Sequence, residues 1–586
     1  MSDKLLSMLH FSHIDKRHPL RFTEEWKKER GTIIMSKKFL SKSVILVVIT
    51  SLFLAIFAGC SNGTKNETAS SDEKPKTTLT EDEPGWKVDT SPITFDWYIN
   101  FSWFASKWGE DEVSKYVTDK TGVSINFISP AGNEAEKMNT MIASGKLPDF
   151  ITIGWWEDAV KKMAEGELVL PLNELAENYD PYFFKVTDPA KLEWYKQENG
   201  NVYGYPNASS SPKDFEKYKD LKPSNQTFLV RKDMYEAIGS PDMSTPEGFL
   251  SALEAAKEKF PEVNGAPLIP FGMNEFTDVG NSSLELYLQN FLALPMEKDG
   301  EVYDRTTDPD YINWLKTFRE ANEKGLLAKD IFIDKRPQME EKIAQGRYFA
   351  MLYQRSDFAA QQQALYAKDP NSVYIAVDGP ANSNQDEPTL AGDSISGWTV
   401  TLISKDVKDK ERAIRFLSYL ISEEGQKDLY LGKEGSTYEV VDGKPQFTSE
   451  VLELLNSDRA AFDQKYGASY KYWMLMDTNM NLQWLPPTAE PFKQMEDWTK
   501  GKTKSFAEFD GINPTGTSAE GVAASKIAQE WGKTLPHLLL AESEKEFDKV
   551  FDEFIQKRDK YGFEKVKEYQ QTIYESNKAK LDAATE

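Results

Sequence analysis

Cysteine is all but missing from this chain: Cys60 is the only one in 586 residues. One thiol can build neither an intrachain disulfide nor a Cys-based zinc or iron–sulfur site. Histidine is nearly as scarce. The four are His10, His13, His18 and His537, and the first three precede a segment that reads as cleaved off. A His-rich metal cluster is thereby excluded from the mature chain, and a Ser-His-Asp triad would have to use His537. Its surroundings, Leu535-Pro536-His537-Leu538-Leu539-Leu540, read instead as a helix packing face. Positive charge is also short, with 70 Lys and Arg against 94 Asp and Glu and a formal charge of −24. That balance argues against a nucleic-acid partner, because a phosphate backbone is bound by clustered cations. The sequence has no GxxxxGK[ST], no GxGxxG after a strand and no HExxH, so phosphate-loop and zincin chemistry drop out. Asp477-Thr478-Asn479-Met480-Asn481 comes nearest to a calcium loop. Leu482 stands where the turn needs Gly, and Thr488 where the bidentate Glu should be. No metal and no cofactor is expected.

What is present is enough for a large folded protein. A hydrophobic fraction of 40% and an aromatic fraction of 12% can fill more than one core. Single cores stop growing at roughly 250–300 residues, so at least two lobes are expected.

The N-terminal region has the three-part plan of an exported protein. Lys37, Lys38 and Lys42 precede an uncharged stretch from Val44 to Phe57, which ends in Ala58-Gly59-Cys60. The stretch falls short of the ~20 residues of a spanning helix, and small residues before a Cys mark a cleavage point. Ile56-Phe57-Ala58-Gly59-Cys60 resembles the lipobox of bacterial lipoproteins, in which the Cys is acylated and becomes the new N-terminus; Phe57 departs from the usual Leu. The plan begins at Met35, so residues 1–34 read as a leader extension from a misplaced start codon, 35–60 as the signal peptide, and 61–90 as a polar, disordered tether.

Beyond the tether, β-like runs alternate with amphipathic stretches, the pattern of an α/β fold. The sequence predicts strands at Ile93–Ile99, Val123–Ile128 and Asp149–Ile153, with helices at Glu112–Lys120 and Asn133–Ser144 between them. Tyr311–Glu323 and Asp409–Ser422 read as amphipathic core helices. Ligands of open α/β sheets bind outside the carboxyl ends of the strands. Asn100 to Trp103 and Trp155-Trp156 both fall there.

Six further segments carry a family resemblance, each weak alone but occurring in a fixed order. Met141-Ile142-Ala143-Ser144-Gly145-Lys146-Leu147-Pro148-Asp149 resembles an "ASGxLPD" segment. Leu229 to Met234, Thr245-Pro246-Glu247-Gly248-Phe249, Gln345 to Met351, Gly432 to Glu439 and Phe547 to Tyr574 follow. Together with the lipobox and tether they resemble family 1 extracellular solute-binding proteins of ABC importers, in particular the long LipO-like lipoproteins. The resemblance covers the whole mature chain. It implies a two-lobed type II periplasmic-binding-protein fold with discontinuous lobes and a ligand cleft at the hinge. The expected division is 91–207 with 391–445 as the first lobe and 208–390 with 446–586 as the second. Crossings are expected near Asn207 to Ser211, near Gly379 to Ala391 and after Tyr438. It also implies no enzyme activity, a monomer that delivers a small solute to membrane permease subunits, and anchorage through Cys60 on the outer face of the cytoplasmic membrane.

A sugar presents hydroxyls at its rim and C–H groups on its faces, so its site combines aromatic platforms with carboxylates, amides and Arg. The candidates of this kind are Trp103, Trp155, Trp156, Tyr203, Tyr205, Tyr353, Arg355, Trp398 and Trp484, with Asn100, Glu157, Asn274, Glu275 and Asp393 as polar partners. Trp531 is expected to lie distal to the ligand site. Each of these aromatics has core packing as its competing role, given 14 Trp and 25 Tyr in the chain. Two other functions remain compatible with the composition. One is an extracellular carbohydrate-active hydrolase with two carboxylates flanking the bond. The other is a ligand-sensing lipoprotein read by a sensor kinase.

Overall fold

A computed structural model describes residues 77–585. Cys60, the signal segment and the first part of the expected tether lie outside the described residues. The end of that tether is folded. Gly85 donates its N–H to Asp180 at 3.1 Å, and Trp86 is buried against Tyr419, with ring centroids 4.8 Å apart. One tryptophan in a polar run thus fixes a segment that composition alone marks as loose.

The first lobe opens with β1 (Ile93–Ile99), α1 (Glu112–Thr121), β2 (Val123–Ile128), α2 (Glu134–Ser144), β3 (Phe150–Gly154) and α3 (Asp158–Glu165), matching the expected alternation to within a residue or two. β4 (Gly204–Pro206) closes this part. Asp111 caps α1 by accepting from Ser114 N, and Gly122 ends it at φ 73°. A Cβ on Gly122 would sit 2.1 Å from the Thr90 carbonyl, so glycine is required there for space as well as for backbone angle.

The chain then builds the second lobe with β5 (Gln226–Arg231), α4 (Pro246–Lys259), β6 (Ile269–Met273), α5 (Pro309–Glu323), β7 (Tyr348–Gln354) and β8 (Tyr374–Ala376). Thr245 caps α4 by accepting from Gly248 N, with Pro246 in the first turn. The chain returns to the first lobe for β9 (Thr399–Ile403) and α6 (Lys410–Ile421). It ends on α7 (Ala519–Leu540), α8 (Glu544–Tyr561) and α9 (Phe563–Thr585).

Among the described residues two main sheets result, beside four two-stranded ribbons. The first has the order β2-β1-β3-β9-β4, with β1 parallel to β2 and β3, and β9 antiparallel to both its neighbours. The second has the order β8-β5-β7-β6, with β7 parallel to β6 and antiparallel to β5. Each sheet is packed on both faces. Phe95, Trp97 and Phe150 enter one core of the first sheet, while Tyr98, Ile151 and Ile153 enter the other, as strand alternation requires. Asp149, the last residue of the "ASGxLPD"-like segment, accepts from the backbone of Asp96 and Lys408 at 2.8 and 2.9 Å. It fastens β1, β3 and the turn before α6 together.

β9 joins strands that precede it by more than one lobe's length of chain, so the first lobe is discontinuous. The last return to the second lobe lies later than expected after Tyr438. Phe447, Val451, Phe462, Tyr472, Trp473 and Trp484 all pack into the first lobe's core, whereas Met495 packs into the second. The stretch 446–484 therefore belongs to the first lobe, because its apolar residues pack into that lobe's core. One lysine joins several of the crossing segments. Lys222 Nζ lies 2.8 Å from Asp393, Ser210 and Thr478, residues of three different crossing regions.

His537 is exposed on α7, while Leu535, Leu538 and Leu539 are buried. The packing face runs beside it and does not include it.

Candidate functional site

Parallel pairing sets the carboxyl ends of β1 and β3 side by side, with Ile99 opposite Thr152. Asn100 follows β1, and Trp155, Trp156 and Glu157 follow β3. Asn100 is buried and its side chain has both roles filled: its carbonyl accepts from the Tyr98 hydroxyl at 2.9 Å, and its amide donates to both Glu157 oxygens at 2.9 and 3.1 Å. Burial pushes the Glu157 carboxyl above its ordinary range, and the bond from Asn100 holds it back. The Tyr98 phenol is pushed up by burial and by the nearby carboxylates of Glu134 and Glu157. The result is a positioned, partly desolvated carboxylate at the mouth of the sheet.

Aromatic rings surround it. Trp155 donates its indole N–H to the Gly397 carbonyl at 3.1 Å, and meets Trp156 edge to face at 6.1 Å. Trp156 is 50% exposed, and Gly154 leaves room for its ring, since a Cβ there would lie 2.8 Å from it. Trp103 stacks parallel on Trp398, with ring centroids 6.3 Å apart and planes 8° apart, and both touch Trp473. Trp103 is 45% exposed. An exposed, prearranged indole face is a platform for an apolar ligand face.

The second lobe presents a matching polar group at the ends of β6 and β7. Asn274, Glu275, Arg336, Tyr353 and Asp357 line a cavity of about 300 Å³. Arg336 lies 3.4 Å from Asp357, and Lys335 lies 3.5 Å from Glu275. Burial pushes the Asp357 carboxyl up, and Arg336 opposes it. A larger cavity of about 840 Å³ adjoins this one through Val279 and Glu285, and reaches Asp158 and Lys162 on α3 of the first lobe. Asp158 follows Glu157 in sequence and opens α3.

The structure brings together Asn100, Trp103, Trp155, Trp156, Glu157 and Trp398 on one lobe and Asn274, Glu275 and Tyr353 on the other. It places five other candidates elsewhere. Tyr205 is buried against Phe183, and Tyr203 packs on the opposite face of the first sheet, hydrogen-bonded to Asn199. Trp484 is 3% exposed and packs on Tyr430 in the core. Arg355 binds the carbonyls of Pro223 and Ser224 and the Glu496 carboxylate, which ties crossing segments together. Asp393 is occupied by Lys222 and Thr478. Each had suitable chemistry but a different neighbourhood, which chain position does not reveal. Arg336, Asp357, Glu285 and Trp531 border the cavities and were not among the candidates. Trp531, expected to lie distal to the site, instead lines the larger cavity at the edge of the second lobe's core.

Among the described residues no group of His, Cys, Asp and Glu could hold a metal ion. Asp477 of the calcium-like segment accepts from the backbone of Asn479 and Met480 at 2.9 Å, capping its own turn.

The model of a family described as bacterial extracellular solute-binding protein matches residues 113–450. The fructooligosaccharide ABC transporter substrate-binding protein FusA of Streptococcus pneumoniae serotype 4 is 28% identical over 320 residues, 51% of this chain and 54% of that one. Lipoprotein LipO of Bacillus subtilis is 23% identical over 325 residues, 54% of this chain and 61% of that one. The chain thus spans between half and two thirds of the length of these curated relatives. Among solved structures, S. pneumoniae FusA in complex with kestose aligns with a TM-score of 0.62 at 17% identity, covering 83% of this chain and 100% of that one. At that identity the likeness is one of fold.

Proposed function

Because the chain belongs to the bacterial extracellular solute-binding protein family, we propose that it is the capture subunit of an ATP-driven importer, closing its two lobes around an oligosaccharide. The observation that supports this best is that each lobe carries polar groups at the ends of its strands, Asn100–Glu157 beside the Trp103 and Trp156 faces on the first lobe and Asn274, Glu275 and Tyr353 around a cavity on the second. Carboxylates and amides satisfy hydroxyls, and indole faces cover C–H surfaces, the combination a sugar needs. The relative FusA, named for fructooligosaccharide, makes kestose a natural first probe. Closure follows if the ligand binds both walls better when they approach, which shifts the population to the closed form.

The protein is a binding component and not an enzyme: its walls hold a ground-state ligand, and import requires release of the intact solute to permease subunits. It acts as a monomer anchored outside the cytoplasmic membrane by acylated Cys60. No helix among the described residues is long and apolar enough to cross a membrane. Replacing Cys60→Ala abolishes fatty-acid labelling and frees the protein from the membrane fraction; a variant that stays labelled overturns the anchor.

Titration calorimetry with fructo-, malto-, xylo- and galacto-oligosaccharides, paired with small-angle scattering, tests the capture role. Saturable one-to-one binding with a smaller radius of gyration is expected. Enzyme-dependent cleavage of a bound oligosaccharide, or no binding across the panel, overturns it.

A further inference from the structure

Asp510 stands where a strap of chain before the C-terminal helices meets the loop that carries part of the first lobe's aromatic platform. That loop is 394–398, and its carbonyls are turned toward donors. Ser396 O accepts from the Tyr195 hydroxyl at 2.5 Å, Gly397 O from the Trp155 indole at 3.1 Å, and Ser394 O from the Ser210 backbone at 3.0 Å. Trp398, at its end, stacks on Trp103. The loop's two hydroxyls, on Ser394 and the fully buried Ser396, both donate to one oxygen of Asp510, Oδ2.

The strap itself, 508–516, is fastened to α9. Asn577 donates to the carbonyls of Glu508 and Asp510 at 3.2 and 2.7 Å, Gln570 donates to Asn513 at 2.9 Å, and Phe509 stacks on Tyr574 with ring centroids 5.0 Å apart. From Asp510 the strap passes Trp155, whose ring a Cβ on Gly511 would meet at 3.5 Å, and residues 512–516 go on to line the larger cavity. Trp155 is therefore held between the Gly397 carbonyl and the strap, and the Asp510 side chain ties those two together. A carboxylate accepts hydrogen bonds roughly twice as strongly as a neutral oxygen, so the charge on Asp510 strengthens both serine bonds at once. Burial pushes this carboxyl up to about 6, the two serines oppose the rise, and Glu508 adds to it. Tyr195, raised by its own burial and then by Asp510, faces it from the first lobe, and Lys578 of α9 opposes the burial that raises Glu508.

From this geometry we infer that Asp510 is a positioning residue for ligand capture: as a carboxylate it locks the 394–398 loop to the strap and so sets the stance of Trp155, and neutralising it loosens the platform. This rests on the reading of Trp155 as ligand-facing. Replacing Asp510→Asn puts a neutral amide oxygen in the place of Oδ2, the same change that a proton makes. The fold is expected to tolerate it, since a desolvated charge is removed and both serines keep an acceptor.

The test incorporates 5-fluorotryptophan into the whole purified protein and assigns the Trp155 fluorine resonance by its loss in Trp155→Phe. In the unaltered protein that resonance is expected to titrate with a midpoint of about 6. In Asp510→Asn it is expected to stay at the acid position throughout, and in the double variant Ser394→Ala, Ser396→Ala to stop titrating although Asp510 is present. Kestose, titrated by calorimetry at neutral pH, is expected to bind Asp510→Asn about tenfold more weakly, with the thermal midpoint unchanged or higher. A resonance that titrates alike in all three proteins belongs to Glu157, which is intact in each, and overturns the inference. So does a resonance that does not titrate in the unaltered protein, or equal kestose affinity in that protein and Asp510→Asn. If the unaltered protein binds neither kestose nor any other oligosaccharide of the panel, the carbohydrate reading falls, and the fluorine shift still decides whether Asp510 sets the stance of Trp155.

Discussion

The Asn100 amide donates to both carboxylate oxygens of Glu157, at 2.9 and 3.1 Å, across 57 positions of sequence. The pair exists because β1 and β3 are parallel neighbours whose ends coincide. Its cost is visible in the raised Glu157 carboxyl, which burial penalises when ionised.

Glu157→Gln separates binding from stability. Relieving a desolvated carboxylate leaves the melting temperature at neutral pH unchanged or higher, while loss of a charge-assisted acceptor lowers oligosaccharide affinity about ten- to a hundredfold. Thermal melts and calorimetry on the same preparation read both quantities. Unchanged affinity would remove Glu157 from the ligand's contacts.

Trp103 and Trp484 are expected to respond in opposite ways. Trp103 is half exposed on its stack with Trp398, so Trp103→Ala costs binding about 1–3 kcal/mol and little stability. Trp484 is buried in the first lobe's core, so Trp484→Ala costs stability about 3–5 kcal/mol through the cavity it leaves. Residual folded Trp484→Ala protein binds normally. Chemical denaturation and titration of the two variants decide it.

Lys222 joins three crossing segments through Asp393, Ser210 and Thr478. Lys222→Met leaves the half-buried Asp393 carboxylate without its cation, a loss of about 1–3 kcal/mol in denaturant unfolding. The double variant with Asp393→Asn is expected to lose less than the sum of the two single changes, the mark of direct coupling. Strict additivity would mean that the pair does not act as a unit.

Burial raises Glu285 from an ordinary carboxyl to a pKa of about 7. Between the unfolded value near 4.5 and about 7, the folded protein keeps a proton that the unfolded chain releases. Stability from this group is therefore full below the lower value and is lost as pH rises through the upper one. Glu285→Gln should flatten that decline, on the order of 3 kcal/mol between pH 4 and 8, with Trp531 still able to donate to the amide oxygen. Urea unfolding across this pH range measures it, and an unchanged slope would show that Glu285 ionises freely.

Much of the fold is legible in the sequence because it is written in local terms. The alternation from Ile93 to Gly154 can be read from strand and helix periodicity, and the Thr245-Pro246 cap from side-chain chemistry at one turn. The strand ends at Asn100 and Trp155 could be placed side by side because the carboxyl ends of parallel strands share one edge. The second lobe's Asn274, Glu275 and Tyr353 were named for their residue types alone, with no strand end to place them.

Other assignments depended on the full tertiary arrangement. Tyr205, Arg355, Asp393 and Trp484 have the right chemistry for a sugar, and only packing shows that a core or a crossing segment had already occupied them. Arg336 and Asp357 carry no local signal. Trp531 follows a helical pattern that looks the same whether its face meets a core or a cavity. Sequence alone determined the element order, the α/β class and the kinds of side chain available for recognition, since these follow from short-range periodicity and composition. Tertiary structure alone decided where residues 446–484 pack and which polar groups are spent on one another. Those outcomes depend on contacts between segments hundreds of residues apart, and neither spacing nor composition encodes such distances.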